Sequence, residues 1–248
     1  MADSHDHRIL VPVDIFSGES VPGTLVEALA SVPVVVLGYR EIPEQTAPEQ
    51  ARSAHEAQAQ AELEKLRTVF ESAGCAVSTQ LVFTRDRLQT FERVAVERDC
   101  DSILILNSVP ILEKMLVAVR GDVNVDHVAR LAATVLTDTE IDVTLLHVIS
   151  KEENRQRGTD LLQDAASTIE AHGIDPDRIG TSVTVGKPTD AILDAATDHD
   201  LLVVGESRPS LRRFIFRDRA NRIARRSVDP VIVVRRTYLE SNGTNGEE

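Results

Sequence analysis

An arginine-rich segment near the end of the chain contains the side chains best suited to bind an anion. Ten arginines lie between Arg208 and Arg236, after a buried apolar run that ends in Gly205. Guanidinium groups bind phosphate and carboxylate through paired hydrogen bonds. The alternative is a solvated helix surface, because in RDRANRIARRSV the small and apolar residues share one face and the arginines point outward. A third interpretation is contact with an acidic partner or with anionic lipid.

The overall composition limits which partners this segment could have. The chain of 248 residues has a formal net charge of -13, with 23 arginines and only four lysines. An acidic, lysine-poor surface is typical of adaptation to high salt, where screening removes the repulsion between carboxylates. Aromatic residues make up only 3% of the chain and tryptophan is absent, so together with the negative charge the composition argues against nucleic-acid binding.

The N-terminal sequence and the cysteines indicate a cytoplasmic protein. MADSHDHRIL is polar, and no apolar run approaches the roughly 20 residues that cross a bilayer, so we expect no membrane insertion. Cys75 and Cys100 are too few for a disulfide scaffold and lack metal-ligand spacing. We therefore expect free thiols in a reducing compartment.

Apolar runs alternate with helical patterns, which indicates the α/β class with a parallel sheet covered by helices. The predicted strands are Ile9–Val13, Val34–Leu37, Val77–Phe83, Ile103–Leu106, Leu116–Val119, Val143–Ile149, Thr181–Val185, Leu201–Val204 and Val231–Val234. Apolar stripes at helical spacing run through Ala59–Phe70, Val128–Val135 and Leu161–Ile169. We interpret all three stripes as core packing.

The order of these segments repeats at an offset of about one hundred residues, a length typical of tandem domains. RILVPVD at residues 8–14 corresponds to KMLVAVRG at 114–121, and DSILILN at 101–107 corresponds to DLLVVG at 200–205. We place the two domains at residues 1–110 and 111–237, followed by a disordered tail at 238–248.

The two halves differ at their ends. In the second half, Gly205 is followed by a loop, a helix and the strand Val231–Val234. In the first half, Asn107 and SVPILEK lead directly into the next domain. The first domain is therefore predicted to be truncated, without the last loop, helix and strand.

The second half resembles the universal stress protein family in five segments. They are LVAVRG at the first strand, LLHV at the second, VGKPTDAIL around Gly186, DLLVVGES at 200–207 and DPVIVVRR at 229–236. The first half is similar through ILVPVD, its long second helix and DSILILN. The resemblance covers nearly the whole chain and implies two Rossmann-like domains of the adenine nucleotide alpha hydrolase type, with strand order 3-2-1-4-5.

The resemblance also implies where a nucleotide would bind. ATP-binding members place an aspartate at the end of the first strand, against adenine, and carry G-x2-G-x9-G-[ST] after the fourth strand, where glycine amides approach the phosphates. In the second half only Gly205 of that segment is kept. Arg208 lies near the second glycine, and Arg217 and Asp218 replace the Gly-Ser pair. Arg120 stands in place of the adenine-side aspartate.

The first half keeps that aspartate as Asp14 but has no phosphate segment, so neither half contains a complete nucleotide site. The chain therefore resembles the non-ATP-binding branch of the family. Asp14 is interpreted as a cap of the turn after its strand, with an adenine contact as the alternative, and Lys187 as an exposed loop lysine. The candidate anion or nucleotide pocket consists of Asp14, Arg120, Gly186, Lys187, Gly205, Arg208 and Arg217.

Catalysis and metal binding find little support in the sequence. There is no nucleophile elbow, no Ser/His/Asp or Cys/His arrangement at a suitable spacing and no histidine-carboxylate metal motif. His5 and His7 around Asp6 would hold a metal ion only weakly on a mobile terminus. His147, inside a strand, is interpreted as a hydrogen-bonded core residue. We expect neither an enzyme nor a metal site.

The resemblance implies dimerisation through the fifth strand. We expect the edge formed by Val231, Ile232, Val233 and Val234 to pair with the same strand of a second chain, because an open hydrophobic edge is an aggregation hazard. In the 3-2-1-4-5 order the third and fourth strands lie apart. Cys75 and Cys100, which precede those strands, should therefore not form a disulfide.

Together these observations predict a non-enzymatic universal stress protein without a cofactor. It would act as a stress-response or regulatory module through protein contacts or a small anionic ligand. One alternative is an ATP- or AMP-binding module with a degenerate phosphate loop. Another is a soluble regulator of a membrane transporter.

Overall fold

The fold is described from a computed structural model for residues 7–18, 20–45, 48–106, 111–120, 124–205, 230–235 and 237. The chain divides into two units, residues 1–106 and 107–248. In each unit, parallel strands alternate with helices along the chain.

The described part of the first unit contains four strands and three helices. In chain order they are β1 Ile9–Asp14, α1 Gly23–Ala28, β2 Val34–Glu41, α2 Pro48–Ser72, β3 Val77–Thr84, α3 Arg87–Glu97 and β4 Ser102–Ile105. The strands lie in the order β3-β2-β1-β4. The residues of β1 are buried up to Val13, as expected of a strand covered on both faces.

The second unit contains five described strands and three α-helices. In chain order they are β5 Lys114–Val119, α4 Val125–Leu136, β6 Asp142–Ile149, α5 Arg155–Ala171, β7 Ile179–Val185, α6 Pro188–Ala196, β8 Leu201–Gly205 and β9 Val231–Val234. The strands lie in the order β7-β6-β5-β8-β9, which is the predicted 3-2-1-4-5 order. The chain moves outward from β5 to β7 and then crosses to the other side of β5. The topological switch point therefore lies between β5 and β8.

Side-chain caps and apolar stripes explain where the helices begin and which faces they bury. Asp86 accepts a hydrogen bond from the N–H of Gln89 at the start of α3, and Asn124 accepts one from the N–H of His127 at the start of α4. The predicted stripe of α4 is buried, including Leu131. These stripes hold the helices against the sheet by burying apolar surface.

The predicted α/β fold class is confirmed, and all nine predicted strands occur. Most strands extend one or two residues beyond the predicted ends, and β2 extends to Glu41. Cys75 and Cys100 do not form a disulfide, as predicted, and the structure places both in buried positions. The longest described helix, α2, is 25 residues long but has charged residues throughout, and no described helix is long and apolar enough to span a membrane.

β9 is the last strand in the order of the second unit, as expected of the fifth strand in the 3-2-1-4-5 order. It pairs in parallel with β8, from Leu202↔Val231 to Gly205↔Val234. Its residues are buried. The homodimer through Val231, Ile232, Val233 and Val234 stays a prediction.

The predicted domain limits at residues 110 and 237 and the truncation of the first domain stay interpretations. The described part of the first unit ends after β4, at Leu106. The tail predicted at 238–248 lies outside the described residues.

Candidate ligand site

Three of the predicted pocket residues lie at the carboxyl edge of the second unit's sheet. Arg120 directly follows β5, Gly205 ends β8 and Gly186 directly follows β7. β5 pairs with β8 up to Ala118↔Val204, so Arg120 and Gly205 lie at adjacent strand ends. Ligands of doubly wound sheets bind at this edge, beside the switch point. Arg120 is half-buried there.

Gly186 and Lys187 form the turn from β7 into α6, two strands away from β5. The N–H of Gly186 donates to the carbonyl oxygen of Ile149 at 3.0 Å. The side chain of Lys187, at the N-terminal boundary of α6, is exposed and makes no capping hydrogen bond. This exposure fits the interpretation of Lys187 as a loop lysine.

Asp14 ends β1 in the first unit, where it stabilises its own turn. Its Oδ1 accepts a hydrogen bond from the N–H of Phe16 at 3.2 Å. Its carbonyl oxygen accepts from both the N–H and the hydroxyl of Ser17, at 3.2 and 2.9 Å. The contacts agree with the interpretation of Asp14 as a turn cap.

The remaining predicted pocket residues, Arg208 and Arg217, lie outside the described residues, as does most of the arginine-rich segment. Of the seven candidates, the structure brings Arg120 and Gly205 to adjacent strand ends. The contribution of the arginine-rich segment to this edge stays a prediction.

A cleft of about 460 Å³ lies between β6 and α5 in the second unit, and none of the predicted pocket residues lines it. Its lining residues are His147, Val148, Ile149, Ser150, Asn154, Arg157, Gly158, Asp160, Leu161 and Asp164. The close approach of helix and strand depends on Gly158, since a Cβ there would lie 2.9 Å from Cδ2 of His147. A glycine inside a helical pattern is the sequence signal that could have revealed this contact.

His147 lies on the wall of this cleft in a fixed orientation. Its Nδ1 lies 2.9 Å from the carbonyl oxygen of Val119. Because a carbonyl oxygen only accepts, Nδ1 carries the proton in the neutral imidazole and Nε2 is a hydrogen-bond acceptor. His147 is thus hydrogen-bonded within the fold, as predicted.

The charged residues of the cleft do not favour an anion. Among the described residues that line it, only Arg157 is a permanent cation, whereas Asp160 and Asp164 both contribute carboxylates. A small anionic ligand therefore fits the edge beside Arg120 better than this cleft.

His7 belongs to the folded first unit, so its assignment to a mobile terminus is wrong. Only 8% of its surface is exposed, and its Nδ1 lies 2.6 Å from Oδ2 of Asp101. Oδ1 of Asp101 accepts hydrogen bonds from the N–H of Arg8 and the hydroxyl of Ser102. The side chain of Asp101, which contacts both His7 and Arg8, thus helps to fix the start of β1.

The second unit is a doubly wound α/β domain. Proteins of this class bind ligands at the carboxyl edge of the sheet, beside the switch point. The family model described as "Universal stress protein family" matches residues 112–235. The chain therefore belongs to the universal stress protein family. No curated protein matches it in sequence.

Solved structures resemble the chain over most of its length. A universal stress protein from Archaeoglobus fulgidus DSM 4304 is 16% identical, with a TM-score of 0.60, and the match covers 93% of this chain and 96% of that one. A functionally unknown protein from Pseudomonas aeruginosa PAO1 is 15% identical, with a TM-score of 0.53 and 93% of each chain covered.

The cytoplasmic domain of a prokaryotic cation chloride cotransporter has the same kind of similarity. It is 13% identical, with a TM-score of 0.53, and the match covers 97% of this chain and 98% of that one. At such low identities these likenesses show the fold alone.

Proposed function

We propose that this universal stress protein is non-enzymatic and acts in the cytoplasm as a stress-response or regulatory module, through protein contacts or a small anionic ligand. The proposal rests on the two residues, Asp14 and Arg120, at the positions where ATP-binding members of the family place an aspartate against adenine. In the first unit, the carboxylate of Asp14 accepts the N–H of Phe16. In the second unit Arg120 occupies the corresponding place. A guanidinium only donates hydrogen bonds and cannot accept one from the adenine amino group.

The absence of catalysis is tested by incubating the protein with ATP and Mg²⁺ and measuring released phosphate. We expect no release above that of buffer alone. Release that increases linearly with protein concentration, and that is lost in Arg120→Gln but kept in Lys151→Ala, a control at an exposed lysine outside the candidate pocket, would contradict the proposal.

A nucleotide-binding module with a degenerate phosphate loop is the second candidate. It is favoured by the placement of Arg120 and Gly205 at adjacent strand ends beside the switch point. In this role the Arg120 guanidinium would hold a phosphate group bidentately. Equilibrium dialysis with AMP then gives saturable binding that Arg120→Gln weakens by about tenfold or more. Lys151→Ala, which removes an exposed cation outside the candidate pocket, serves as the matched control.

The third candidate, a soluble regulator of a membrane transporter, is motivated by the fold that this chain shares with a cotransporter's cytoplasmic domain. Its test compares sedimentation of the protein with native membranes and with protein-free vesicles of the same lipids. Binding to native membranes alone supports this role, whereas equal binding to both preparations, or to neither, removes it.

A further inference from the structure

The strand β7 forms an edge of the second unit's sheet, with main-chain groups directed away from its neighbour β6. β7 is last in the strand order. The N–H of Gly186 donates to Ile149 in β6. Successive residues of a parallel strand direct these groups to alternate sides, so the N–H and C=O groups of Thr181, Val183 and Val185 point outward.

Arg155 is hydrogen-bonded to one of these outward main-chain groups. Its Nη1 donates a hydrogen bond to the carbonyl oxygen of Val183 at 2.9 Å. Its Nε and Nη2 donate to the two carboxylate oxygens of Glu152, which lies in the short 3-10 helix Glu152–Asn154 before α5. Glu152 therefore positions the guanidinium so that its Nη1 binds the carbonyl oxygen of Val183 at the edge of the strand.

The position of Arg155 in α5 is unusual for a cation. It is the first residue of the helix, where the macrodipole favours negative charge. The hydrogen bond with Glu152 raises the pKa of Arg155, and the same bond lowers the pKa of Glu152. Both side chains are therefore charged at neutral pH, and the next acid along the chain, Glu153, is ion-paired with Lys151. The carboxylate of Glu152 offsets the unfavourable helix position of Arg155.

The sequence of β7 suits pairing with another copy of itself. IGTSVTV contains no charged residue and is rich in β-branched residues, which favour strands. In an antiparallel pair with its two-fold axis at Ser182, Thr181 of one copy lies opposite Val183 of the other. Those two residues would exchange both of their outward hydrogen bonds. The carbonyl oxygen bound by Arg155 is the acceptor at the centre of that interface.

We propose that β7 is a strand-pairing surface for a second copy of this chain, and that Arg155, anchored by Glu152, keeps this surface closed. Pairing must either displace the guanidinium from Val183 or bury it between two strands. The first loses a charge-assisted hydrogen bond, and the second removes an ion pair from water. An edge closed by a charged side chain is a common protection against sheet-to-sheet association.

The test measures self-association by sedimentation velocity over a range of protein concentrations, in molar salt to screen the net charge of -13. Arg155→Met removes the guanidinium and keeps an apolar stem of good helix propensity. We expect it to lower the self-association Kd by about tenfold or more relative to the parent chain. Arg157→Met, two residues along the same helix and also exposed, is the matched control and should leave the Kd unchanged.

Two further variants locate the association. Thr181→Pro added to Arg155→Met removes an outward N–H without breaking the ladder to β6, so it should restore the parent Kd. Glu152→Gln leaves Arg155 without its charged anchor and should lower the Kd by a smaller factor than Arg155→Met. The proposal is overturned if Arg155→Met associates no more strongly than the parent, or if its association survives Thr181→Pro. Circular dichroism confirms that each variant is folded before it is compared.

Discussion

Asp101 and Asp200 stand at equivalent positions of the two repeats and form the same contact. Oδ1 of Asp101 accepts the N–H of Arg8 at 3.2 Å, and Oδ2 of Asp200 accepts the N–H of Lys114 at 2.8 Å. The main-chain N–H of each aspartate donates back to the carbonyl oxygen of the same partner, at 3.0 and 2.8 Å. Each aspartate thus fixes the start of the fourth strand of its unit against the start of the first strand. The shared contact supports the interpretation of the chain as a duplicated domain.

The carboxylate of Asp200 is expected to contribute to the stability of the fold. It also accepts the N–H of Glu113 at 2.9 Å, so Asp200→Ala removes two hydrogen bonds. We predict a loss of about 1–3 kcal/mol in the free energy of unfolding, measured by urea denaturation. Asp198→Ala, an exposed aspartate in the preceding turn, is the control and should change it by less than about 0.5 kcal/mol. Equal effects of the two substitutions would mean that the contact contributes nothing.

The packing of α5 against β6 is expected to require the absence of a side chain at residue 158. A glycine-to-alanine change inside a helix ordinarily gains about 0.5–1 kcal/mol. In Gly158→Ala the new Cβ would lie 2.9 Å from the His147 ring, which Val119 holds in place. We predict a net loss of about 1–3 kcal/mol in the free energy of unfolding.

The imidazole ring can be tested as the cause of that loss. His147→Ala removes the obstacle, so Gly158→Ala should cost less in that background than in the parent chain. A double-mutant cycle measures the difference. An unchanged cost would assign the effect to Val183, whose Cγ1 would lie 3.2 Å from the same Cβ.

The hydrogen-bond acceptor at residue 14 is expected to contribute more to the stability of the fold than the negative charge of the Asp14 side chain does. Asp14→Asn keeps an oxygen that can accept the N–H of Phe16, whereas Asp14→Ala leaves that N–H without its partner. We predict a loss of about 1 kcal/mol for alanine and a clearly smaller loss for asparagine, measured by urea denaturation. If both variants lose the same stability, the turn does not depend on this hydrogen bond.

The two thiols are expected to be unreactive in the folded protein. Cys75 is 6% exposed and Cys100 is fully buried, and burial raises the pKa of the Cys75 thiol. A thiol reagent at pH 8 should therefore react slowly with the native protein and label both cysteines after unfolding. Fast labelling of the native protein at that pH would contradict the described burial.

The raised pKa of Cys75 also predicts the direction of an alkaline effect on stability. The folded state holds the thiol proton more tightly than the unfolded state does. This contribution is complete below the unfolded pKa and is lost as the pH rises through the folded pKa. The free energy of unfolding should therefore fall with rising alkaline pH, and Cys75→Ala should reduce that fall. An identical alkaline dependence in the variant would assign the effect to other groups.

Most strands can be predicted from the sequence because strands covered on both faces are continuous apolar runs, as in β1, β8 and β9. Two helices of the first unit were not predicted, for different reasons. α1 has only six residues, so its stability depends on packing that no local pattern reveals. α3 carries a recognisable N-cap at Asp86 before the buried Phe91 and Val94, and this start signal could have identified it.

The contacts that organise the sites are harder to predict, because their partners are far apart in sequence. Asp200 binds the start of β5, and Arg155 reaches Val183 in β7. Local composition shows an acid or a base at these positions but not which main-chain group it meets. By contrast, Asp14 bonds within its own turn, two residues along the chain, and that role was predictable.

We propose that this universal stress protein does not act by binding adenine nucleotides, and a thermal-shift titration tests this proposal most directly. ATP, AMP and cyclic AMP are added with Mg²⁺ at constant ionic strength, each up to millimolar concentration. A ligand at a hundred times its Kd would raise the free energy of unfolding by about 2.7 kcal/mol, which moves the Tm by several degrees. We predict no shift with any of the three. A rise in Tm that saturates with nucleotide concentration and disappears in Arg120→Gln would contradict the claim and establish nucleotide binding beside the switch point.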